Sequence, residues 1–305
     1  MPRSRWVIPF FLAGSAWSGV ALAAAPVVRP RVLAQYPHDA NAFTQGLLLH
    51  GGAFYESTGL RGRSSLRRVE PTTGSVLYDI ELSASEFGEG LARVDDRLIQ
   101  LTWQEHVAHV YDLETFDHIT DYTYDTEGWG LCFDGHRLVL SDGSDQLFFR
   151  DPANFALVGS VSVADDGVPI EQLNELECVR GLVLANVWMT DTIVVIDPKT
   201  GQVLERVDAS GLLSEGEKTS ADVLNGIAHD ASTGHFYLTG KLWPKLFEVE
   251  LELPPAAPAA PRKSGSCAMC AMGQGPNGSL LGWLIVLTSI VWRRLSPAGT
   301  RSRAQ

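Results

Sequence analysis

The sequence predicts an all-β protein, a five-bladed β-propeller, and three observations predict it. Between residues 31 and 253, short β-branched and aromatic runs alternate with Asp-Gly, Thr-Gly and Asp-Pro punctuation, with no long 3.6-residue periodicity. A turn pattern recurs at Glu70-Pro71-Thr72-Thr73-Gly74, Asp112-Leu113-Glu114-Thr115-Phe116, Asp151-Pro152-Ala153-Asn154-Phe155 and Asp197-Pro198-Lys199-Thr200-Gly201, at spacings of 42, 39 and 46 residues. Proline presets φ and glycine or asparagine accepts φ > 0, so these are turns between strands. A second series interleaves with it: Gln45-Gly46-Leu47, Glu89-Gly90-Leu91, Trp129-Gly130-Leu131, Asn174-Glu175-Leu176 and Asn225-Gly226-Ile227. Five copies at roughly 40–50 residues are the period of a four-stranded blade, and a solenoid fits less well because no helix is visible.

Each turn is followed by one more strand: Val76 to Leu82, Ile119 to Tyr124, Leu157 to Val163 and Val203 to Val207. The fifth unit lacks that last strand after Lys245–Glu250, while the body opens with an unmatched run, Arg31–Tyr36. Placing that run in blade five closes the ring and removes its open edge. Cys132 and Cys178 follow the blade-three and blade-four motifs one residue out of register, so period-two alternation predicts opposite strand faces and two buried free thiols.

The ends read as addresses. Residues 1–25 carry Arg3 and Arg5, an apolar run from Trp6 to Leu22 and the small-residue exit Ala21-Leu22-Ala23, the make-up of a secretory signal. Residues 254–266 form a stiff Pro/Ala-rich linker. Residues 267–305 hold Cys267 and Cys270, a thirteen-residue apolar segment from Leu280 to Trp292, and Arg293-Arg294. That segment is short for a bilayer core, and its basic end suits a stop signal held on the cytoplasmic side. The arrangement resembles the C-terminal sorting tails of myxobacterial surface proteins. It implies an envelope location, with the chain anchored by the tail or released by machinery acting near Cys267. The Cys267-x-x-Cys270 pair has neither the second pair or histidine cluster of a zinc site nor the βαβ context of a redox motif.

Of the 24 basic residues, eight lie outside residues 26–261, whereas all 36 acidic residues lie inside; the body holds 16 basic and 36 acidic residues, a net charge of −20. Such a surface repels phosphate backbones, so no nucleic-acid partner is expected.

The innermost strands of a propeller line its channel, so the five motifs crowd one mouth. The expected inventory there is Phe43, Gln45, Phe87, Glu89, Trp103, Trp129, Asn174, Glu177, Trp188, Asn225 and Lys241. An aromatic cage with carboxylate, amine and amides suits a small, polar, amine-bearing ligand. A single tryptophan at a blade top can be ring packing, but Glu89 and Lys241 at a narrow mouth are expensive unless paired or used.

Tyr36–Gly46, Tyr55–Arg67, Phe87–Gly90, Leu101–Trp103, Glu127–Leu131, Leu173–Glu177, Val223–Ile227 and Thr239–Pro244 together resemble the plant-type glutaminyl-peptide cyclotransferases, in order across residues 32–250. The resemblance implies a five-bladed propeller that closes N-terminal glutamine of peptides or proteins to pyroglutamate with loss of ammonia. It points to Glu89 for proton transfer, and the residue chemistry lets Lys241, Asn174 and Gln45 hydrogen-bond the amide oxygen as it becomes anionic. The family's pocket carries over onto Phe43, Gln45, Phe87, Trp103, Trp129 and Trp188. No zinc or other cofactor is implied. The eight histidines show no metal-ligand spacing and are expected on strands or the surface. Two alternatives stay open: a metal-dependent, lactonase-like propeller hydrolase using Glu89, Asn174 and Asn225, and a propeller that only binds peptides.

Overall fold

The computed structural model describes residues 23–256, so the apolar N-terminal run, most of the linker and the tail with Cys267 and Cys270 lie outside the described residues. Five four-stranded antiparallel sheets surround a central axis. Blade one comprises Thr44–His50, Ala53–Thr58, Ser65–Val69 and Val76–Glu81; blade two Gly88–Val94, Arg97–Thr102, Val107–Asp112 and His118–Thr123. Blade three runs Leu131–Phe133, Leu138–Ser141, Gln146–Arg150 and Leu157–Ser162, and blade four Leu173–Val179, Leu182–Val187, Thr192–Ile196 and Val203–Asp208. Blade five takes Leu224–His229, Phe236–Gly240 and Lys245–Glu250 from the C-terminal end and Arg31–Pro37 from the N-terminal end. The closing strand pairs Val32 with Val249 and Tyr36 with Leu246, as the unmatched run at the start of the body requires. Among the described residues the one helical element is a 3-10 turn, Glu217–Thr219.

The repeating turns work as their composition dictates. The Glu70, Asp112, Asp151 and Asp197 carboxylates each accept a backbone N–H two residues on, fixing the reversal into the outermost strand. A β-bulge follows each turn, at the start of the outer pairing. The hydrophobic core is correspondingly divided, with one cluster between each pair of neighbouring blades.

The glycines of the second motif series lie where inner strands converge. A Cβ on Gly46 or Gly90 would come 2.5 Å from the backbone nitrogen of Leu91 or Leu131, in the next blade. Blade four breaks the series with Glu175. Its buried carboxylate crosses the axis and accepts the N–H groups of Leu47 in blade one (3.3 Å) and Ile227 in blade five (2.9 Å). Burial, with Glu177 nearby, pushes its pKa well above the ordinary carboxylate range.

Three expectations need correction. Cys132 and Cys178 form a disulfide, with Cα atoms 5.5 Å apart, rather than two free thiols. Opposite strand faces were the right geometry with the wrong consequence. Blades stack front to back, so opposite faces of neighbouring sheets are the ones that meet. Second, residues before Arg31 also belong to the fold. Val27–Val28 pairs in parallel with Val203–Asp208 as a fifth strand on blade four, and Asp165 ties Ala25 N and Arg206 Nε together. Third, His38 is neither on a strand nor at the surface. Its buried ring contacts Trp243 O and the buried Glu56 carboxylate.

Candidate active site

In each blade the innermost strand leaves the mouth and the second strand returns to it. Side chains that open the first strand therefore meet those that follow the second. Gln45, Glu89 and Asn174 are near the starts of inner strands, whereas Trp103, Trp188 and Lys241 directly follow second strands. Phe43, Phe87 and Trp129 precede the inner strands. All nine line one cavity of about 500 Å³.

Its wall is aromatic. Phe87 packs edge-on against Phe43 and Trp103, with centroids 6.0 and 5.6 Å apart, and Trp129 packs edge-on against Trp188 at 5.6 Å. Edge-to-face contacts fix ring planes and leave faces for a ligand. Glu127 sets two of these planes: its Oε2 accepts the indole N–H of Trp103 (2.7 Å) and of Trp129 (3.0 Å). Arg61 lies over Phe87 and Trp103 and pairs with Glu105 at 2.6 Å, backing the wall from outside.

The base of the cavity is polar. Glu89, 4% exposed, accepts Gln45 Nε2–H at 2.9 Å, and Gln45 Oε1 in turn accepts Asn225 Nδ2–H at 3.2 Å. That relay orients the glutamine amide so that its N–H, not its oxygen, meets Glu89. Glu89 Oε2 and Asn174 Oδ1 are buried without a hydrogen-bond partner, as befits groups awaiting a ligand. Lys241, also 4% exposed, places Nζ 5.0 Å from the Phe43 ring centroid. Burial raises the Glu89 pKa well above normal, against the pull of Lys241 and helped by Glu127 and Glu105. Burial also lowers the Lys241 pKa, opposed by Glu89 and Asp222. Both groups are driven toward neutrality in one site, the arrangement that acid–base chemistry near neutral pH requires.

Two residues of the expected inventory lie elsewhere. Glu177 faces the opposite end of the channel, because it is three positions beyond Asn174 along a strand that runs away from the mouth. Asn225 is fully buried beside the cavity, where its Nδ2 donates to Thr44 O and Gln45 Oε1 while its Oδ1 has no partner. Met189 and Asp222 line the cavity without having been expected. Asp222 immediately precedes the fifth inner motif, and Met189 follows Trp188, so position beside a motif was the available signal.

The relatives of the chain accord with this geometry. Residues 8–251 match the family model described as glutamine cyclotransferase. The chain belongs to the glutamine cyclotransferase family. A curated relative, the glutaminyl-peptide cyclotransferase of Arabidopsis thaliana, is 39% identical over 256 residues, covering 81% of this chain and 80% of the plant protein. The crystal structure of Myxococcus xanthus glutaminyl cyclase superposes with a TM-score of 0.68 at 41% identity, covering 75% of this chain and 98% of that one.

Proposed function

We propose that this member of the glutamine cyclotransferase family is a glutaminyl-peptide cyclotransferase in which Glu89 carries the proton, with Lys241 and Asn174 on the γ-amide. The observation that carries the reading is the buried Glu89 carboxylate, with one oxygen held by Gln45 and the other unpartnered in an aromatic cavity. The reaction joins the α-amine of an N-terminal glutamine to its own γ-carbonyl carbon and breaks the bond to the amide nitrogen. Nucleophile and electrophile share one residue, so the enzyme chiefly has to orient them. An α-amine has a pKa near ~8, so a carboxylate of ordinary pKa is a poor base for its ammonium form. Raising Glu89 brings the two closer and makes the transfer less uphill. The attacking nitrogen gives its proton to Glu89 as the C–N bond forms, and Glu89 returns one to the leaving nitrogen, which departs as ammonia. Lys241 donates to the γ-oxygen as it becomes anionic, and Asn174 Nδ2 is the second donor. The test is ammonia release from a glutaminyl dipeptide, set beside the same dipeptide with asparagine. Equal release, or none, overturns the reading.

The addresses at the two ends complete the proposal. Export by the N-terminal apolar run is supported by the Cys132–Cys178 disulfide, since such bonds persist in oxidising compartments. We assign the sequence beyond Pro254 to a spacer and an envelope anchor acting through the Leu280–Trp292 segment or a processed Cys267. Deleting residues 262–305 should leave an active enzyme that no longer fractionates with envelope membranes. Loss of activity along with membrane association would place part of the tail in the fold.

A further inference from the structure

On the outer half of blade two, far along the sheet from the inner strands, three side chains converge that no step of the cyclisation uses. His109 Nδ1 is 2.8 Å and His118 Nε2 is 2.6 Å from the same oxygen, Asp121 Oδ1. All three atoms lie within 4.8 Å of one another. The second ring nitrogen of His109, Nε2, meets Glu86 Oε1 at 3.2 Å. We propose that His109, His118 and Asp121 form a binding site for a first-row divalent transition metal of the zinc class, with Glu86 as the outer carboxylate that orients His109.

The backbone brings the ligands together. Asp121 stands directly opposite His109 in the strand register. His118 is three residues before Asp121, an odd separation that in a regular strand sends the two side chains to opposite faces. The β-bulge between His118 and Thr120 absorbs one residue and returns His118 to the face of Asp121. The bulge itself recurs in other blades, but the two histidines do not. The equivalent positions are Arg67, Val76 and Asp79 in blade one, Phe148, Leu157 and Ser160 in blade three, and Val194, Val203 and Arg206 in blade four. The fold therefore needs no histidine there.

The hydrogen-bond inventory leaves a place for a cation. A neutral imidazole has one N–H and one lone pair. With Nε2–H donated to Glu86, a neutral His109 directs a lone pair at a carboxylate oxygen, a conflict that either a second ring proton or a metal ion between them removes. A carboxylate on the remote nitrogen is the usual partner of a metal-bound histidine. Two imidazoles and one carboxylate suit zinc, nickel or copper better than calcium or magnesium. Bond lengths of about 2.0–2.2 Å require tetrahedral ligand separations of roughly 3.3 Å. His118 and Asp121 are half-exposed on an outermost strand, so opening the present contacts by about half an ångström is feasible.

The site would fasten two strands of blade two to the segment that leads into Phe87 and Glu89. Glu86 Oε2 already accepts Ser83 N–H, and Glu86 O accepts Ser64 Oγ–H. Metal binding should therefore act on stability and not require turnover.

Co²⁺ and Zn²⁺ titrations of the full chain test this, in a Cys267→Ser/Cys270→Ser background so that the tail thiols take no part. One equivalent of Co²⁺ should give visible d–d bands without thiolate charge transfer. Zn²⁺ at a hundredfold excess over its Kd should raise Tm by about 5 °C. His118→Ala and Asp121→Asn, both at half-exposed positions, should each weaken binding at least tenfold with the metal-free Tm retained. Absence of cobalt bands up to millimolar metal, or affinity unchanged in both variants, overturns the site.

Discussion

Replacing Glu89 with glutamine separates chemistry from folding in a way few substitutions at this site can. Glutamine preserves the shape, and its Oε1 can still accept the N–H of Gln45 that now reaches Glu89 at 2.9 Å. What it loses is basicity. Positioned proton transfer contributes about 10²–10⁴-fold, so kcat should fall by that factor, about 2.7–5.5 kcal/mol on the barrier. KM should move little, since the aromatic wall remains. Stability should hold or rise. Burial pushes the Glu89 pKa well above normal, so the ionised carboxylate is a destabilising element that glutamine removes. The assay is continuous ammonia detection with a glutaminyl dipeptide, beside a thermal melt of the same preparation. Wild-type turnover in Glu89→Gln would falsify its role as proton carrier. A loss of activity matched by a large fall in Tm would make the residue a structural one.

Lys241→Met keeps an unbranched stem beside Phe43 but removes the charge, and kcat should drop by about 10²–10³ with binding largely intact, read by the same assay. A drop in affinity alone would refute oxyanion stabilisation. Cys132→Ser/Cys178→Ser opens a bridge between residues 46 apart in sequence, for which chain entropy gives about 4 kcal/mol; denaturant midpoints should fall accordingly, and an unchanged midpoint would refute it. Burial pushes Glu177 up to about 8, so its folded-state pKa exceeds its unfolded one. Its contribution is fully present below the unfolded pKa and is lost as pH rises through 8, at roughly 1.4 kcal/mol per pH unit as an upper bound. Glu177→Gln should flatten that decline in denaturation midpoints measured across the range, and parallel curves would count against it.

The fold was legible because the turns carry chemistry that few other structures need. An acid opening a tight turn, in three of four cases before proline, at a period of about forty residues leaves little besides a blade. The site was legible for a related reason: Gln45, Glu89, Trp129 and Asn174 hold the same place in blades one to four, so the period that reveals the ring also reveals its mouth. Reading along one strand could not reveal contacts made between sheets. The face parity of Cys132 and Cys178 was correct, yet their meeting depended on how sheets stack. His118 and Asp121 illustrate the same limit, since a bulge invisible in residue spacing aligns them. Asp222 and Met189 sit beside motif residues but have no counterparts that repeat, so the shape of the cavity is what recruits them.

Glu175 has a consequence for what can be a substrate. With its carboxylate hydrogen-bonded to Leu47 of blade one and Ile227 of the adjoining blade five, Glu175 spans the channel, and the ring is a cup, not a pipe. A polypeptide cannot be threaded through a cup; it can only be dipped into one, end first. An internal glutamine would have to enter with chain on both sides of it, and the closed floor leaves space for one. Selectivity for chain termini thus arises from a wall of the protein itself, before any group recognises an amine. The same floor makes the path in the path out, so ammonia and the newly capped peptide must leave through the one rim by which the peptide came.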